Sequence, residues 1–281
     1  NKVGTVSISS KNKIDFITQF YALNRAGFPV LLNNTNLVNK IKKENLKINY
    51  FFKNGNLKKI NNKLNKNYKY NIIIKTSGST TDNRYVFLKN NNVSFISKNM
   101  NSAMNLFNKS FYELIHAPLD HAFAFGRLHS LLSSNNYFAI SNEINISNFF
   151  DILQLKKKIN AISINAKILS TIINLDFKLF KRITKNIKYI QISSGFFPLN
   201  LRRKLLSLGI NLYINYGMTE AMRSTFLDCS KYKNKIATEG KPFKGIKIKI
   251  KKINNNKIGE ILIKGRNLAY SYSNRKIWNK R

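Results

Sequence analysis

The chain has 281 residues with 43% hydrophobic content, enough to bury a sizeable core in one large or two ordinary domains. Lysine and arginine number 49 against 12 acidic residues, a formal net charge of +37. The lysines are scattered with asparagine and isoleucine through almost every segment, the mark of A/T-rich codons, and form neither a basic stripe nor a nucleic-acid module. One cysteine, Cys229, excludes an internal disulfide, no Cys/His cluster has zinc spacing and no apolar run approaches a membrane span, so a reducing, cytoplasmic setting is expected.

In chain order, residues 3–8 read as a strand. Asn12 then caps a helix with Asp15 in its first turn, apolar Ile14, Ile17, Phe20, Tyr21 and Leu23, and Gly27 as its stop. Residues 28–32 follow as a second strand, the strand–helix–strand order of a parallel α/β sheet. The pattern predicts a helix over 35–44, a strand over 48–52 and a polar surface connection over 55–69. Because the chain opens on Asn1 and enters a strand almost at once, a segment upstream is expected.

Residues 71–88, NIIIKTSGSTTDNRYVFL, hold the first candidate for chemistry. Ile72, Ile73 and Ile74 predict a short strand buried on both faces, delivering the chain into a run of small hydroxylated residues around Gly78. Glycine lets backbone N–H groups approach an anion, and the hydroxyls of Thr76, Ser77, Ser79 and Thr80 can each donate a hydrogen bond. Arg84 adds a permanent cation. A solvated turn would use the same residues, so the loop alone leaves phosphate binding open.

Farther on, Asn92 is a candidate cap for a helix carrying Phe95, Ile96, Met100, Met104 and Phe107 at the 3.6-residue period. Strands are predicted over 113–118, 136–140, 161–164, 189–192 and 211–215, alternating with helices over 149–158, 166–173, 179–185 and 199–208. The strand at 189–192 runs into a second small-residue turn, Ser193–Gly195, and the strand at 211–215 into YGMTEA. From about residue 238 the texture becomes GIKIKIKKI and IGEILIKG, a hairpin-rich pattern with isoleucine inward and lysine outward. Residues 1–237 are thus expected to form a two-lobed α/β core and 238–281 a small β subdomain.

Three stretches, in this order and spacing, resemble the adenylate-forming superfamily of acyl-CoA synthetases and related ligases. TSGSTTDNR at 76–84 is similar to its phosphate loop, NYGMTEA at 215–221 to its YGxTE motif, and GEILIKGRNLAYSY at 259–272 to its GEhxhxGxxxxxGY segment. APLDHAFAFG, INAISINAKILSTII and ISSGFFPL match further family stretches in sequence order. The resemblance implies two α/β lobes with mixed and parallel sheets plus a small β subdomain. It implies formation of an acyl-adenylate from ATP and a carboxylic acid, then transfer to coenzyme A or a carrier-protein thiol, as in fatty acid metabolism. The chain departs from the family loop at Thr81, Asn83 and Arg84, where Gly, Pro and Lys are usual. It also stops before the family's ribose-binding Asp and its C-terminal lid domain with a catalytic Lys, so a fragment trimmed at both ends is expected.

The resemblance also assigns roles. Thr76, Ser77, Gly78, Ser79, Thr80 and Arg84 would surround the β- and γ-phosphates, Thr219 the α-phosphate, and Glu220 would bind Mg²⁺, a hard cation that takes oxygen ligands. Tyr216 and Gly217 would lie against adenine with Ser194 and Gly195 on its other side, and His121 beside the acyl carboxylate. Read without that resemblance, Glu220 suits a helix N-terminus and His121 a hydrogen-bonded core histidine. His116 and His129 are expected to be structural. Phe196, Phe197 and Met218 suit either the wall of an acyl pocket or the core, and Arg223 either phosphate or solvent. Outside the ligase class, a degenerate nucleotide-binding module and a basic RNA-binding protein are the rival readings.

Overall fold

A computed structural model describes residues 4–33, 48–53, 56–61, 68–76, 84–252 and 258–273. The expected helix over 35–44 lies outside them. In chain order the elements are β1 (Val6–Ser9), α1 (Lys13–Arg25), β2 (Val30–Leu32), β3 (Tyr50–Lys53), β4 (Asn56–Lys59), β5 (Ile72–Thr76), β6 (Arg84–Leu88) and α2 (Asn90–Ala103). Then come β7 (Tyr112–His116), α3 (Ala122–Ser133), β8 (Tyr137–Ile140), α4 (Ile146–Leu155), β9 (Ala161–Asn165), α5 (Ala166–Leu175) and α6 (Phe177–Ile183). The remainder is β10 (Tyr189–Ser193), α7 (Leu199–Leu206), β11 (Asn211–Ile214), β12 (Gly217–Met218), β13 (Met222–Arg223), β14 (Thr225–Asp228), β15 (Lys241–Pro242), β16 (Ile246–Lys252), β17 (Gly259–Gly265) and β18 (Ser271–Tyr272). Two compact units result: Asn1–Val93 with Leu119–Ala122 and Ala269–Arg281, and Ser94–Pro118 with Phe123–Leu268.

The first unit carries a seven-stranded sheet ordered β18-β6-β5-β2-β1-β3-β4. Its middle, β5-β2-β1-β3, is parallel; β4 and β6 pair antiparallel with β3 and β5, and β18 pairs antiparallel with β6. Ile72, Ile73 and Ile74 are buried as expected for a central strand flanked on both sides. Helix α1 starts where Asn12 accepts from the Ile14 and Asp15 amides, at 2.9 and 3.4 Å, and Gly27 follows its end at φ +86°.

The second unit is built on another seven-stranded sheet, β15-β14-β11-β10-β9-β7-β8, parallel from β11 to β8 with β14 and β15 antiparallel at one edge. Three of its helices begin on polar caps: Asn145 holds the Asn148 amide at 2.8 Å, Asn165 the Lys167 amide at 2.9 Å and Asp176 the Leu179 amide at 2.8 Å. Two ribbons, β12-β13 and β16-β17, complete it. Because β9, β10 and β11 are parallel neighbours, their carboxyl ends open along one edge of the sheet, where Asn165 and Ser193 lie in register.

Several expectations are corrected. The stretch read as surface connection contains β4, an exposed edge strand; the YVFL run, for which no element was expected, forms β6, antiparallel to β5. Helix α2 starts at Asn90, and Asn92 reaches back to the Lys89 amide at 2.8 Å, the position of a third-residue capping side chain rather than of the cap. Ile14 is exposed while Phe16 and Phe20 face the core, and Phe107 is exposed beside buried Leu106. In β16-β17 the isoleucine face is covered only at its base: Ile246 is buried, but Ile250 and Ile261 are exposed.

Candidate functional site

The turn after β10 and the turn after β11 are tied together by side chains. Ser193 Oγ donates to the Asn215 carbonyl at 3.1 Å, and Asn165 Nδ2 donates to the Ser194 carbonyl, also at 3.1 Å. Ser194 and Gly195 stand at φ +64° and +147°, a left-handed turn that leaves both exposed. The next strand's exit is held as tightly. Gln191 Nε2 donates to Asn215 Oδ1 at 2.7 Å, and Asn215 Nδ2 donates to the Thr225 carbonyl at 2.9 Å. The Tyr216 amide donates to Thr225 Oγ1 at 3.1 Å, and its carbonyl accepts from the Ser224 amide at 2.8 Å, so the tyrosine backbone is fixed at both ends.

The ribbon β12-β13 then folds back, with Gly217 opposite Arg223 and Met218 opposite Met222. A Cβ at Gly217 would lie 2.0 Å from the Met222 carbonyl oxygen, so only glycine closes the ribbon. Thr219 and Glu220 sit half-buried in its turn, where the Ala221 amide bonds the Met218 carbonyl at 3.0 Å. Glu220 is therefore a turn carboxylate, and the reading that placed it at a helix N-terminus is corrected.

Beneath these turns lies a buried polar network. Arg127 grips Glu113 bidentately, Nε to Oε1 at 2.7 Å and Nη2 to Oε2 at 2.5 Å, with both side chains fully buried. Tyr189 donates to the same carboxylate and accepts from Arg127 Nη2 at 2.7 Å, while Ser163 Oγ bonds Glu113 Oε1 at 2.5 Å. Burial works against the Arg127 charge, but Glu113 outweighs it and holds the guanidinium above its ordinary pKa. Ser163 Oγ also lies 3.1 Å from Gln191 Oε1, which links this network to Asn215.

In the first unit, Thr76 closes β5 directly opposite Arg84, which opens β6. Ser77, Gly78, Ser79 and Thr80, with Thr81 and Asn83, lie outside the described residues. His121 immediately precedes α3 and is exposed, which removes the core-histidine reading. His116 is the buried one: its Nδ1 stands 2.6 Å from Ser141 Oγ, and burial lowers its pKa to about 4 against a smaller opposing pull from the Asn145 backbone.

The AMP-binding enzyme family model matches residues 56–273. The chain belongs to the AMP-binding enzyme family. It is 30% identical over 129 residues to the 2-succinylbenzoate–CoA ligase of Lactococcus lactis subsp. lactis (strain IL1403), covering 45% of this chain and 28% of that protein. Its fold is that of the o-succinylbenzoate CoA synthetase of Bacillus subtilis, with a TM-score of 0.79 at 20% identity over 100% of this chain and 64% of that one. The same synthetase in complex with ATP and magnesium ion gives 0.68 at 20% identity, over 99% of this chain and 64% of that one. The long-chain-fatty-acid-CoA ligase of Archaeoglobus fulgidus gives 0.78 at 16% identity over 100% of this chain and 67% of that one. The chain therefore spans 28% of its curated relative and about two thirds of these solved chains.

Within this AMP-binding family member, Ser194 and Gly195 lie in the turn after β10, Tyr216 follows β11, and Gly217, Thr219 and Glu220 belong to the β12-β13 ribbon that comes next. Of the residues read as a possible acyl wall, Phe197 is core, whereas Phe196 and Met218 are exposed. Arg223, read as facing phosphate or solvent, does not face solvent: it is buried. Asn267 was not anticipated. Its Nδ2 donates to the Ala221 carbonyl at 2.7 Å and to Ser224 Oγ at 3.1 Å, locking the end of the Thr219–Glu220 turn. Its place two residues after Gly265, inside the third motif, was the available signal. Among the described residues no three His, Cys, Asp or Glu gather into a metal cage. A lone half-buried carboxylate still fits Mg²⁺, which keeps several waters and takes one or two carboxylates alongside substrate phosphates.

Proposed function

We propose that the chain supplies the nucleotide-binding part of an enzyme that activates a carboxylic acid with ATP to an acyl-adenylate and then forms a thioester with coenzyme A. The observation that carries this is the pairing of the Ser194–Gly195 turn with the Tyr216–Glu220 turn at the ends of adjacent parallel strands. One turn offers exposed small residues and backbone groups, and the other a tyrosine ring, a hydroxyl and a carboxylate, together a fitting bed for a purine and its α-phosphate.

Activation requires in-line attack of a carboxylate on the α-phosphate with pyrophosphate leaving. Both reactants are anionic, so the chain's task is to orient them and to offset charge. In this reading Tyr216 and Gly217 lie against adenine, with Ser194 and Gly195 on its other face. Thr219 donates to the α-phosphate. The family resemblance carries Thr76, Ser77, Gly78, Ser79, Thr80 and Arg84 to the outer phosphates and His121 to the acyl carboxylate. Glu220 would hold Mg²⁺, which when bound offsets phosphate charge. The adenylate is then opened by the coenzyme A thiol with release of AMP.

The test is acid-dependent exchange of pyrophosphate into ATP by the full-length gene product, across short, long and aromatic acids. Exchange is expected with at least one acid, and Glu220→Ala is expected to lower it by about 100-fold or more (~2.7 kcal/mol). The circular dichroism spectrum should not change. Absence of exchange with every acid, or an unchanged rate in Glu220→Ala, would remove the reading or the residue respectively.

A further inference from the structure

Arg223 is a buried cation with too few partners. It stands in β13 opposite Gly217, 3% exposed, with its guanidinium 4.9 Å from the Phe123 ring centroid. Gly126 lies beneath it, where any Cβ would come within 2.8 Å of Nη1. Nη2 donates to the Phe123 carbonyl at 2.6 Å, but Nε and Nη1 have no acceptor. The carboxylate that attracts it, Glu113, is already taken by Arg127, Tyr189 and Ser163. Burial first, and then repulsion from Arg127, push the Arg223 pKa down to about 9. A guanidinium kept dry without a counter-ion is among the least favourable arrangements a fold can hold.

The geometry points to Arg223 as a specificity residue that reads a second, non-reacting anionic group on the acid, so that the substrate class is dicarboxylic or similarly doubly charged. This rests on the acid-activation reading above. The planar fork of arginine matches a carboxylate. Phe123, Met222 and Gly126 around it suit the organic body of an acid better than a hydrated triphosphate. The reacting carboxylate is not the partner, because a tight pair with it would stabilise the ground state and weaken as the anion becomes the mixed anhydride of the acyl-adenylate. The pairing of Arg223 with Gly217 puts the charge on the ribbon that carries Thr219 and Glu220.

The experiment compares mono- and dicarboxylic acids of matched skeleton in the exchange assay with the full-length protein. In the wild type, dicarboxylates are expected to exceed their monocarboxylate counterparts in kcat/KM by about 100-fold, since a buried donor left unpaired rejects the analogue lacking its partner. Arg223→Met should raise KM for dicarboxylates about 100-fold while leaving monocarboxylates unchanged. Arg223→Lys, which keeps the charge but not the fork, should fall between. Equal loss with every acid, or one acid profile shared by wild type and Arg223→Met, overturns the assignment. A binding readout separates the two readings: a dicarboxylate alone should raise the Tm of wild type but not of Arg223→Met. If that shift is present without exchange, acid activation fails and the Arg223 assignment stands; if it is absent, the assignment fails. Should Arg223→Met not fold, the same comparison is made with Arg223→Lys, whose dicarboxylate shift must then be the smaller.

Discussion

Single residues in this chain are distinguished by where their polar atoms end up. Arg127 and Arg223 are both buried arginines of the second unit, yet one is matched donor for acceptor and the other is not. The first reads as framework and the second as recognition. His116 illustrates the same economy for a titrating group. It is neutral in the fold because burial lowers its pKa from 6.5 to about 4, and Ser141 holds its Nδ1. The unfolded chain takes up a proton as pH falls through 6.5, whereas the fold does so only near 4. The stability this residue contributes is thus complete above 6.5 and is lost as pH falls towards 4. By pH 5 the loss should be about 2 kcal/mol. Urea titrations of wild type and His116→Gln at pH 7 and pH 5 isolate it, since every other titration is common to both. An equal loss in the two proteins would show that His116 is not the group responsible.

At the scale of elements, the β12-β13 ribbon depends on one missing side chain. Gly217→Ala places a methyl 2.0 Å from the Met222 carbonyl, so the ribbon must open and carry Thr219 and Glu220 with it. Pyrophosphate exchange should fall by about 100-fold with the circular dichroism spectrum kept, because the seven strands beneath rest on other contacts; wild-type exchange would mean that the turn's position is immaterial. That glycine was visible in the sequence only as part of a motif, and this is typical of what could be read in advance. Elements with a strong local pattern were legible: the buried triple isoleucine of β5, the Asn12 cap of α1, the small-residue turn after β10. Elements made by tertiary pairing were not. Asn56–Lys59 has no apolar face, and becomes a strand because β3 offers an edge. Glu113, Arg127 and Tyr189 form one cluster across 76 residues, and Asn267 reaches back 46 residues to Ala221. No spacing rule foretells such partners. The isoleucine alternation of β16 gave the strand but not its coverage, for alternation reports two faces without saying what lies against either.

For the whole molecule the governing quantity is charge. With 49 basic and 12 acidic residues, one-to-one pairing leaves at least 49 − 12 = 37 cations without an acidic partner of their own. Like charges at the surface repel more in the compact state than in the expanded one, so self-repulsion lowers stability wherever salt does not screen it. At 0.01 M salt the screening length is roughly 30 Å, larger than a domain radius, and at 0.1 M it is roughly 10 Å. Added sodium chloride should therefore raise Tm steeply between those concentrations and little beyond, the reverse of what a surface held by ion pairs would do. Polyphosphate at low salt should raise Tm in the same way, through diffuse attraction. The two effects also separate a genome-wide basic bias from a nucleic-acid site. A diffuse bias predicts that RNA is displaced by moderate salt and leaves pyrophosphate exchange unaltered. Salt-resistant RNA binding, or a Tm that falls as salt is added, would instead mean that the lysines are organised into a binding face.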